Sequence, residues 1–140
     1  MVCLGNICRS PLAEGVMKHA VKEAGLNWEV DSAGTGSWHV GNPPDWRSIR
    51  VAKNHGVDIS RQVCRQFKIP DFDAFDLILV MDKHNLANVR AMARTEQDET
   101  KVKLFLGDKD VPDPYTDDTQ FEPVFELIES GCADVIKDYS

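Results

Sequence analysis

A cysteine and an arginine lie six positions apart near the amino terminus, in the run CLGNICRSP from Cys3 to Pro11. Pro11 suits an early helix position, so the run predicts a loop that leads into a helix start, where unpaired backbone N–H groups attract an anion. A cysteine among such amides and beside a guanidinium favours thiolate over thiol. The run therefore predicts a nucleophile at the base of an anion-binding loop.

The other residue types in the run suit the same loop. Gly5 and Asn6 tolerate the tight or left-handed backbone that a short loop needs. Arg9 offers a planar fork that matches two oxygens of a phosphate. The same fork suits the trigonal bipyramid that forms when the phosphorus is attacked. Ser10 can donate a hydrogen bond to the thiolate. Together they indicate a site for phosphoryl chemistry.

A structural role for Cys3 is the alternative interpretation. A buried free cysteine is usually a small hydrophobic residue, and the spacing C-x5-R alone arises often by chance. Here Gly, Asn, Arg, Ser and Pro each occupy the position that an anion-binding loop requires. This agreement across the whole run favours the catalytic interpretation.

The run from Val2 to Pro11 closely resembles the signature of the low-molecular-weight protein tyrosine phosphatases, and the later sequences GNPPD, MD and DPY extend the resemblance over nearly the whole chain. The resemblance implies Cys3 as the nucleophile that forms a cysteinyl-phosphate, Arg9 as the phosphate clamp and Asp113 as the general acid, with no metal or other cofactor. It also implies a substrate-binding set: Leu4, Gly5, Asn6, Ile7, Cys8, Ser10, Trp38 and Tyr115.

Asp113 lies between two prolines, Pro112 and Pro114. Prolines restrict their own backbone and that of the preceding residue, so the carboxyl group is aimed repeatably, as a general acid requires. A single acid in so acidic a segment is more often a solvated turn residue. The Asp-Pro-Tyr triplet favours the catalytic role.

Trp38 follows a glycine-containing stretch, Ser32 to Gly36, which we predict to be a loop. An exposed aromatic residue is often only a partly buried anchor, but a flat ring also suits stacking on an aryl group. A slot between Trp38 and Tyr115 would favour flat aryl esters, because a short aliphatic ester would leave Cys3 out of reach. Gly36 stands where some relatives carry a serine that supports the phosphate loop.

Composition limits the classes of partner. The formal net charge of −7 argues against nucleic acid or an anionic membrane as the main partner. No apolar run approaches about 20 residues and no leader segment is visible, so we predict a cytoplasmic protein without a membrane span. Four cysteines, at positions 3, 8, 64 and 132, form no C-x-x-C pair, which argues against zinc and favours reduced thiols.

The patterning predicts an α/β fold of one doubly wound domain covering residues 1–140. We expect a four-stranded parallel sheet, helices on both faces and the phosphate-binding loop at the first strand-to-helix turn. The continuous apolar run Leu77–Met81 is typical of a strand buried on both faces. The other predicted strands are 28–31 and 102–106, and residues 95–101 are a predicted loop. The predicted helices are 11–24, 46–54, 83–94 and 121–139, with Asp45 or a neighbour as the cap of 46–54 and Asp82 as the cap of 83–94.

The predicted function is hydrolysis of phosphotyrosine on proteins, with a tyrosine-phosphorylated protein as the partner and a monomer or weak dimer as the assembly. Arsenate reductases share the loop but relay oxidation through two adjacent cysteines, whereas Cys64 and Cys132 are predicted in helices without a partner. Phosphoarginine phosphatases carry threonine where Ile7 stands. A non-catalytic anion-binding or redox-sensing module would have no use for Asp113.

Three further expectations concern single residues. Cys8 lies five residues from Cys3, and spacing together with the resemblance suggests a reversible disulfide that protects Cys3 from over-oxidation. His55 is predicted to cap helix carbonyls. Only Met1 and Val2 precede Cys3, whereas the family has an apolar strand of several residues there, so we expect a minimal first strand or missing natural residues.

Overall fold

The computed structural model describes all 140 residues, Met1–Ser140, and contains a four-stranded, all-parallel sheet. The strands are β1 (Val2–Cys3), β2 (Ala33–Gly34), β3 (Ile78–Val80) and β4 (Val102–Leu104), in the order β2-β1-β3-β4. The chain order reverses between β1 and β3, and ligand crevices open at such a switch point beyond the carboxyl ends of the strands. The residues that follow Cys3 and Val80 therefore share one edge of the sheet.

Helices cover both faces of this sheet, which confirms the predicted fold class. One core packs α1 (Arg9–Glu23), α2 (Trp46–Asn54) and α6 (Phe121–Tyr139) together, and the other contains residues of α3 (Asp71–Ala74) and α4 (Lys83–Ala91). Side chains of β3 alternate between the two cores, as the pleat of a strand requires. None of the helices combines the length and the apolar character needed to cross a membrane.

The predicted strand at 28–31 is wrong, because β2 lies at Ala33–Gly34 inside the predicted loop. Pairing explains the shift, because Val2 lies opposite Ala33 and Cys3 opposite Gly34. Next to that ladder, the Met1 carbonyl accepts from the Ala33 N–H and the Met1 amino group donates to the Asp31 carbonyl, each at 3.0 Å. Strand position is therefore set by the partner strand rather than by the apolar pattern.

The predicted loop at 95–101 is also wrong, since Glu96–Lys101 forms a short helix, α5. Thr95 caps it by accepting a hydrogen bond from the Asp98 N–H at 3.1 Å. The four-residue helix α3 was not predicted. Most other errors are at element ends: α1 begins at Arg9 rather than at residue 11, α4 ends at Ala91, and β3 and β4 are shorter than predicted. The early start of α1 brings its amino end directly onto the loop that follows Cys3.

Candidate active site

Residues 3–10, the nucleophile loop, wrap around the sulfur of Cys3 at the end of β1. Asn6 has a positive φ of 57°, a conformation that asparagine tolerates better than most residues. This turn directs the Asn6 N–H at Cys3 Sγ, 3.3 Å away, and Ser10 Oγ lies 3.0 Å from the same sulfur. The loop therefore surrounds Cys3 Sγ with hydrogen-bond donors, which stabilise an anionic sulfur.

The Asn6 side chain ties the nucleophile loop to two other segments. Its Nδ2 donates to Ser10 Oγ at 2.8 Å and to Ser32 Oγ at 3.0 Å, and its Oδ1 accepts from the Arg65 N–H at 3.0 Å. Because a backbone N–H can only donate, the contact with Arg65 fixes which end of the amide faces the two hydroxyls. Asn6 is only 2% exposed, so these bonds are shielded from water.

A buried carboxylate, Glu14, sets the direction of this hydrogen-bond chain. Ser32 Oγ lies 2.7 Å from Glu14 Oε1 and must donate to it, because a carboxylate only accepts. Ser32 then receives from Asn6, and so does Ser10. The Ser10 hydrogen is left to point at Cys3 Sγ, which is closer than the other acceptor in reach. The sequence analysis missed the contributions of Ser32 and Glu14, because they come from segments distant in sequence.

The backbone of β2 backs directly onto the nucleophile loop. A Cβ added at Gly34 would lie 2.8 Å from the Leu4 carbonyl oxygen and 3.0 Å from the Asn6 nitrogen. The Thr35 N–H donates to the Cys3 carbonyl and the Gly36 N–H to the Leu4 carbonyl, each at 2.9 Å. Only glycine permits an approach this close.

Arg9 is held from one side, so that the other side of its guanidinium stays open. Its Nη1 donates to Asp82 Oδ2 at 2.7 Å and to the Val111 carbonyl at 2.9 Å, and it is only 3% exposed. Nε and Nη2 donate no hydrogen bond. Their shared edge presents the paired donors that match two oxygens of a phosphate.

Asp82 has two roles, of which the sequence predicted one. It caps α4 by accepting from the Asn85 N–H at 2.8 Å, as predicted, and it also pairs with Arg9. Burial opposes ionisation of Asp82, but the bonds from Asn85 and Arg9 outweigh it and lower the pKa of this carboxyl. The carboxylate therefore stays charged and fixes the arginine.

Residues 111–118, the acid loop, bring Asp113 to the edge of the site. The Val111 N–H donates to the Met81 carbonyl at 2.7 Å, which anchors the loop at the end of β3. Asp113 Oδ2 lies 3.8 Å from Arg9 Nη2, and Asp113 Oδ1 accepts from the Tyr115 N–H at 3.1 Å. The side chain of Asp113 is half-exposed, so it can reach a group bound in front of Arg9.

Trp38 and Tyr115, the two residues predicted to form the walls of a substrate slot, both have exposed side chains. Trp38 lies directly over Gly36, where an added Cβ would overlap its indole ring. His39, its neighbour, lies against Gly5 of the nucleophile loop, at 3.2 Å from the position of a Cβ there. Gly36 thus contributes its backbone N–H to the nucleophile loop and provides space for the indole.

The remaining cysteines are buried free thiols. The prediction that Cys64 lies in a helix is wrong: it lies in the loop after Ser60, and its thiol donates to the Asn6 carbonyl. Cys132 does lie in a helix, α6, and faces the Ala13 carbonyl. Burial raises the pKa of Cys8 and Cys132 to about 12 and that of Cys64 to about 11, so all three are protonated at neutral pH.

His55 caps α2 only through its backbone N–H, which donates to the Ala52 carbonyl at 3.0 Å. Its ring stacks on Phe125 with centroids 4.1 Å apart and bonds to Glu122 at 2.6 Å. The predicted capping is therefore correct for the backbone, whereas the side chain links α2 to α6.

The comparison with protein families gives one match that covers almost the whole chain. The family described as "Low molecular weight phosphotyrosine protein phosphatase" matches residues 1–139. A relative from Homo sapiens with that same description is 42% identical over 141 residues, covering 94% of this chain and 88% of the relative.

Solved structures agree with this match. A protein tyrosine phosphatase from Entamoeba histolytica, crystallised with Hepes in the active site, superposes with a TM-score of 0.91 at 35% identity and covers 96% of this chain and 91% of its own. Vibrio vulnificus Wzb in complex with benzylphosphonate superposes with a TM-score of 0.88 at 33% identity, covering 98% and 94%. The similarity therefore includes the whole sheet and the loops at its carboxyl edge.

Proposed function

Because this chain belongs to the low molecular weight phosphotyrosine protein phosphatase family, we propose that Cys3, Arg9 and Asp113 are the residues with which it hydrolyses phosphotyrosine. The observation that carries this assignment is the position of Arg9. Its Nη1 is held by Asp82 and the Val111 carbonyl, its Nη2 lies 3.8 Å from Asp113 Oδ2, and its Nε–Nη2 edge donates no hydrogen bond. We expect an oxyanion bound in the loop that surrounds Cys3 to be held on that edge, within reach of the Asp113 carboxyl group.

The proposed reaction has two steps. The Cys3 thiolate attacks phosphorus, the bond from phosphorus to the phenol oxygen breaks, and Asp113 gives its proton to that oxygen. Water then attacks the cysteinyl-phosphate, Asp113 takes a proton from this water, and the sulfur leaves as thiolate while inorganic phosphate is released. Arg9 and the amides of residues 4–9 hold the equatorial oxygens in both steps. Neither step uses a metal or another cofactor.

The burial of the nucleophile supports an aryl ester as the substrate. Cys3 is only 3% exposed, so a phosphate must enter the loop on a group long enough to reach it. Tyr115 and Trp38 offer flat, exposed rings that can pack on a phenol. Wzb, which shares the fold, has been solved in complex with benzylphosphonate, a ligand in which one methylene group joins a phosphonate to an aromatic ring.

The cysteines and the net charge also bear on the location and partners that we propose for the protein. Four free cysteines, one of them the nucleophile, suit a reducing compartment, so we expect a cytoplasmic protein. We expect the single phosphatase domain, residues 1–140, to act on tyrosine-phosphorylated proteins as a monomer or weak dimer. Its net charge of −7 makes nucleic acid and anionic membranes unfavourable partners.

The test is hydrolysis of aryl phosphates by the wild type and by Cys3→Ser and Asp113→Ala. We expect no turnover from Cys3→Ser. Asp113→Ala should lose about 10²–10⁴-fold in kcat/KM on phenyl phosphate, the usual contribution of a general acid, and much less on esters with a better leaving group. A loss that is equal for all leaving groups would reject Asp113 as the acid. Higher activity on phosphoarginine than on phosphotyrosine would reject phosphotyrosine as the substrate.

The disulfide between Cys3 and Cys8 remains a hypothesis with its own test. Protein treated with peroxide should yield a peptide in which these two residues are linked, detected by mass spectrometry. If peroxide inactivates the enzyme without producing that linkage, Cys8 does not protect the nucleophile.

A further inference from the structure

Arg47, the second residue of α2, faces one aromatic ring of the acid loop and one of the core. Its Cζ lies 5.3 Å from the centroid of the Tyr115 ring and 4.6 Å from that of Phe121. A guanidinium within about 6 Å of a ring centroid is attracted to the ring face. Phe121 is buried, so the arginine connects the exposed Tyr115 to a fixed part of the core.

The nitrogens of Arg47 are fully engaged by two carboxylates. Nε and Nη2 bond both oxygens of Asp45, at 3.0 and 2.9 Å, and Nη1 donates to Asp118 Oδ1 at 2.5 Å. Hydrogen bonds to Asp45 and then to Asp118 raise the pKa of Arg47. A guanidinium whose donors are already bonded to two carboxylates is poorly suited to bind a phosphate as well. Its contacts suit the connection of protein segments.

The segments that Arg47 connects are the two loops of the active site. On one side, the N–H of its partner Asp45 donates to the Ile7 carbonyl in the nucleophile loop at 2.8 Å. On the other side, the Arg47 side chain contacts Tyr115 and Asp118 of the acid loop. The Tyr115 N–H in turn donates to Asp113 Oδ1.

Asp113 therefore lies between two arginine anchors of the acid loop. Arg9 holds the carbonyl of Val111, two residues before it, and Arg47 holds Tyr115, two residues after it. Asp113 itself is half-exposed and makes one hydrogen bond, to the Tyr115 N–H. The direction of its carboxyl group thus depends on where these anchors place the loop backbone.

We propose that Arg47 is a positioning residue that aims Asp113 at the leaving group by holding Tyr115 and Asp118 against the start of α2. The inference rests on the proposed function, because it assigns Arg47 a role through the general acid. The side-chain hydrogen bonds of Arg47 all go to Asp45 and Asp118, and none goes to Cys3. Its loss should therefore affect protonation of the leaving group and spare the binding of the anion.

The experiment compares Arg47→Met with the wild type on two esters, phenyl phosphate and 2,4-dinitrophenyl phosphate. Phenolate is a poor leaving group that needs a proton, whereas dinitrophenolate leaves without one. We expect kcat/KM to fall about tenfold on phenyl phosphate and less than about twofold on the dinitrophenyl ester, since a misaimed acid forfeits part of its 10²–10⁴-fold effect. The inhibition constant of inorganic phosphate should stay within about twofold of the wild type, because the backbone bond from Asp45 to Ile7 of the nucleophile loop does not involve the Arg47 side chain.

Three matched variants sharpen the result. Arg50→Met removes an exposed arginine of the same helix that forms no ion pair, and it should leave both esters unchanged. Asp118→Ala removes only the hydrogen bond from Arg47 Nη1 to Asp118 and should produce a smaller loss in the same direction. Arg47→Lys keeps the charge but not the planar fork, so its kcat/KM on phenyl phosphate should stay below that of the wild type. Full restoration by lysine would overturn the role of the fork.

Equal losses on both esters, together with weaker inhibition by phosphate, would show that Arg47 only maintains the fold and would overturn the proposal. An unchanged ratio of the two esters would overturn it as well. Thermal unfolding of each variant confirms that folded enzyme is compared. A wild-type chain that hydrolyses neither ester would instead reject the proposed function.

Discussion

The nucleophile loop and the acid loop meet at Arg9, but they are held in different ways. Cys3, Asn6 and Ser10 are 3% exposed or less and bond to one another. Asp113 and Tyr115 are about half-exposed, and their loop is held mainly by two arginines. In the proposed mechanism the first loop must be organised for negative charge before the substrate arrives, whereas Asp113 must only be aimed and must leave room for the leaving group.

The strongest test of this contrast is Arg9→Lys. Lysine keeps the charge but cannot hold Asp82 and Val111 with one nitrogen while presenting two donors to the phosphate. We expect kcat/KM to fall about 10³-fold, the upper range for loss of a preorganised oxyanion donor. Steady-state kinetics on p-nitrophenyl phosphate measures it. A loss below tenfold would mean that charge alone suffices and that the fixed geometry of the nucleophile loop matters little.

Asp82→Asn tests how far the buried loop depends on a neighbouring charge. Asparagine still caps α4 but removes the near carboxylate of buried Arg9 and leaves only half-exposed Asp113 at 3.8 Å, which should cost about 3 kcal/mol at pH 7. The folded-state pKa of Asp82 is lowered, so its stabilisation exists above the unfolded value of about 3.9 and is lost as pH falls through the folded pKa.

Urea unfolding at pH 7 and pH 3 checks this prediction. The difference between wild type and Asp82→Asn should shrink at the lower pH, because pH 3 lies below the unfolded-state pKa of about 3.9, where the stabilisation from ionised Asp82 begins to be lost. The matched control is Asp73→Asn, which breaks an exposed pair with Arg94 and should have a much smaller effect. A difference that is constant with pH would show that the Asp82 charge does not stabilise the loop.

Two variants at position 6 separate backbone shape from side-chain bonding within the nucleophile loop. Asn6→Gly keeps the positive φ but loses three side-chain hydrogen bonds, whereas Asn6→Ala loses both features. Alanine in the left-handed region should cost about 1 kcal/mol more than glycine. Urea unfolding together with inhibition by inorganic phosphate measures both effects. Equal stability of the two variants would mean that the turn relaxes and that the loop is less rigid than it looks.

The smallest expected effect concerns the entrance rather than either loop. Gly36→Ala would push the Trp38 indole from its place, since the new Cβ would overlap the ring. We expect KM for aryl phosphates to change by about twofold to tenfold, the range that about 0.5–1.5 kcal/mol of ring packing produces. Inhibition by inorganic phosphate, which has no ring, should not change. An effect on phosphate of the same size would mean that the new methyl group also disturbs the hydrogen bond from the residue 36 N–H to the Leu4 carbonyl.

Local patterns predicted the parts of the molecule that depend on local chemistry. Helices α2 and α6 begin and end where their caps and apolar spacing indicated, and Asp82 caps α4 as expected. The missed helix α5 also had a local signal, Thr95 followed three residues later by Asp98, which the charged composition obscured.

What the sequence could not predict depends on contacts between distant segments. The position of β2 follows from pairing with a two-residue β1, and no pattern within residues 28–34 encodes that register. Likewise, Glu14 and Ser32 reach the nucleophile loop only after α1 and β2 have packed, and the partner of Arg9 lies 73 positions away. Such residues look like ordinary surface or turn positions until the fold brings them together.

The contact between Gly34 and the nucleophile loop restricts how this enzyme can change. The sheet and the catalytic pocket are separated there by the thickness of one backbone, so a single methyl group on one side would intrude on the other. Selection for activity from a library randomised at codon 34 should therefore return glycine almost alone, whereas codon 36 should accept small residues. Substitutions that change substrate preference can therefore accumulate at the entrance, near residue 36, whereas residue 34, behind the Cys3 sulfur, must stay glycine.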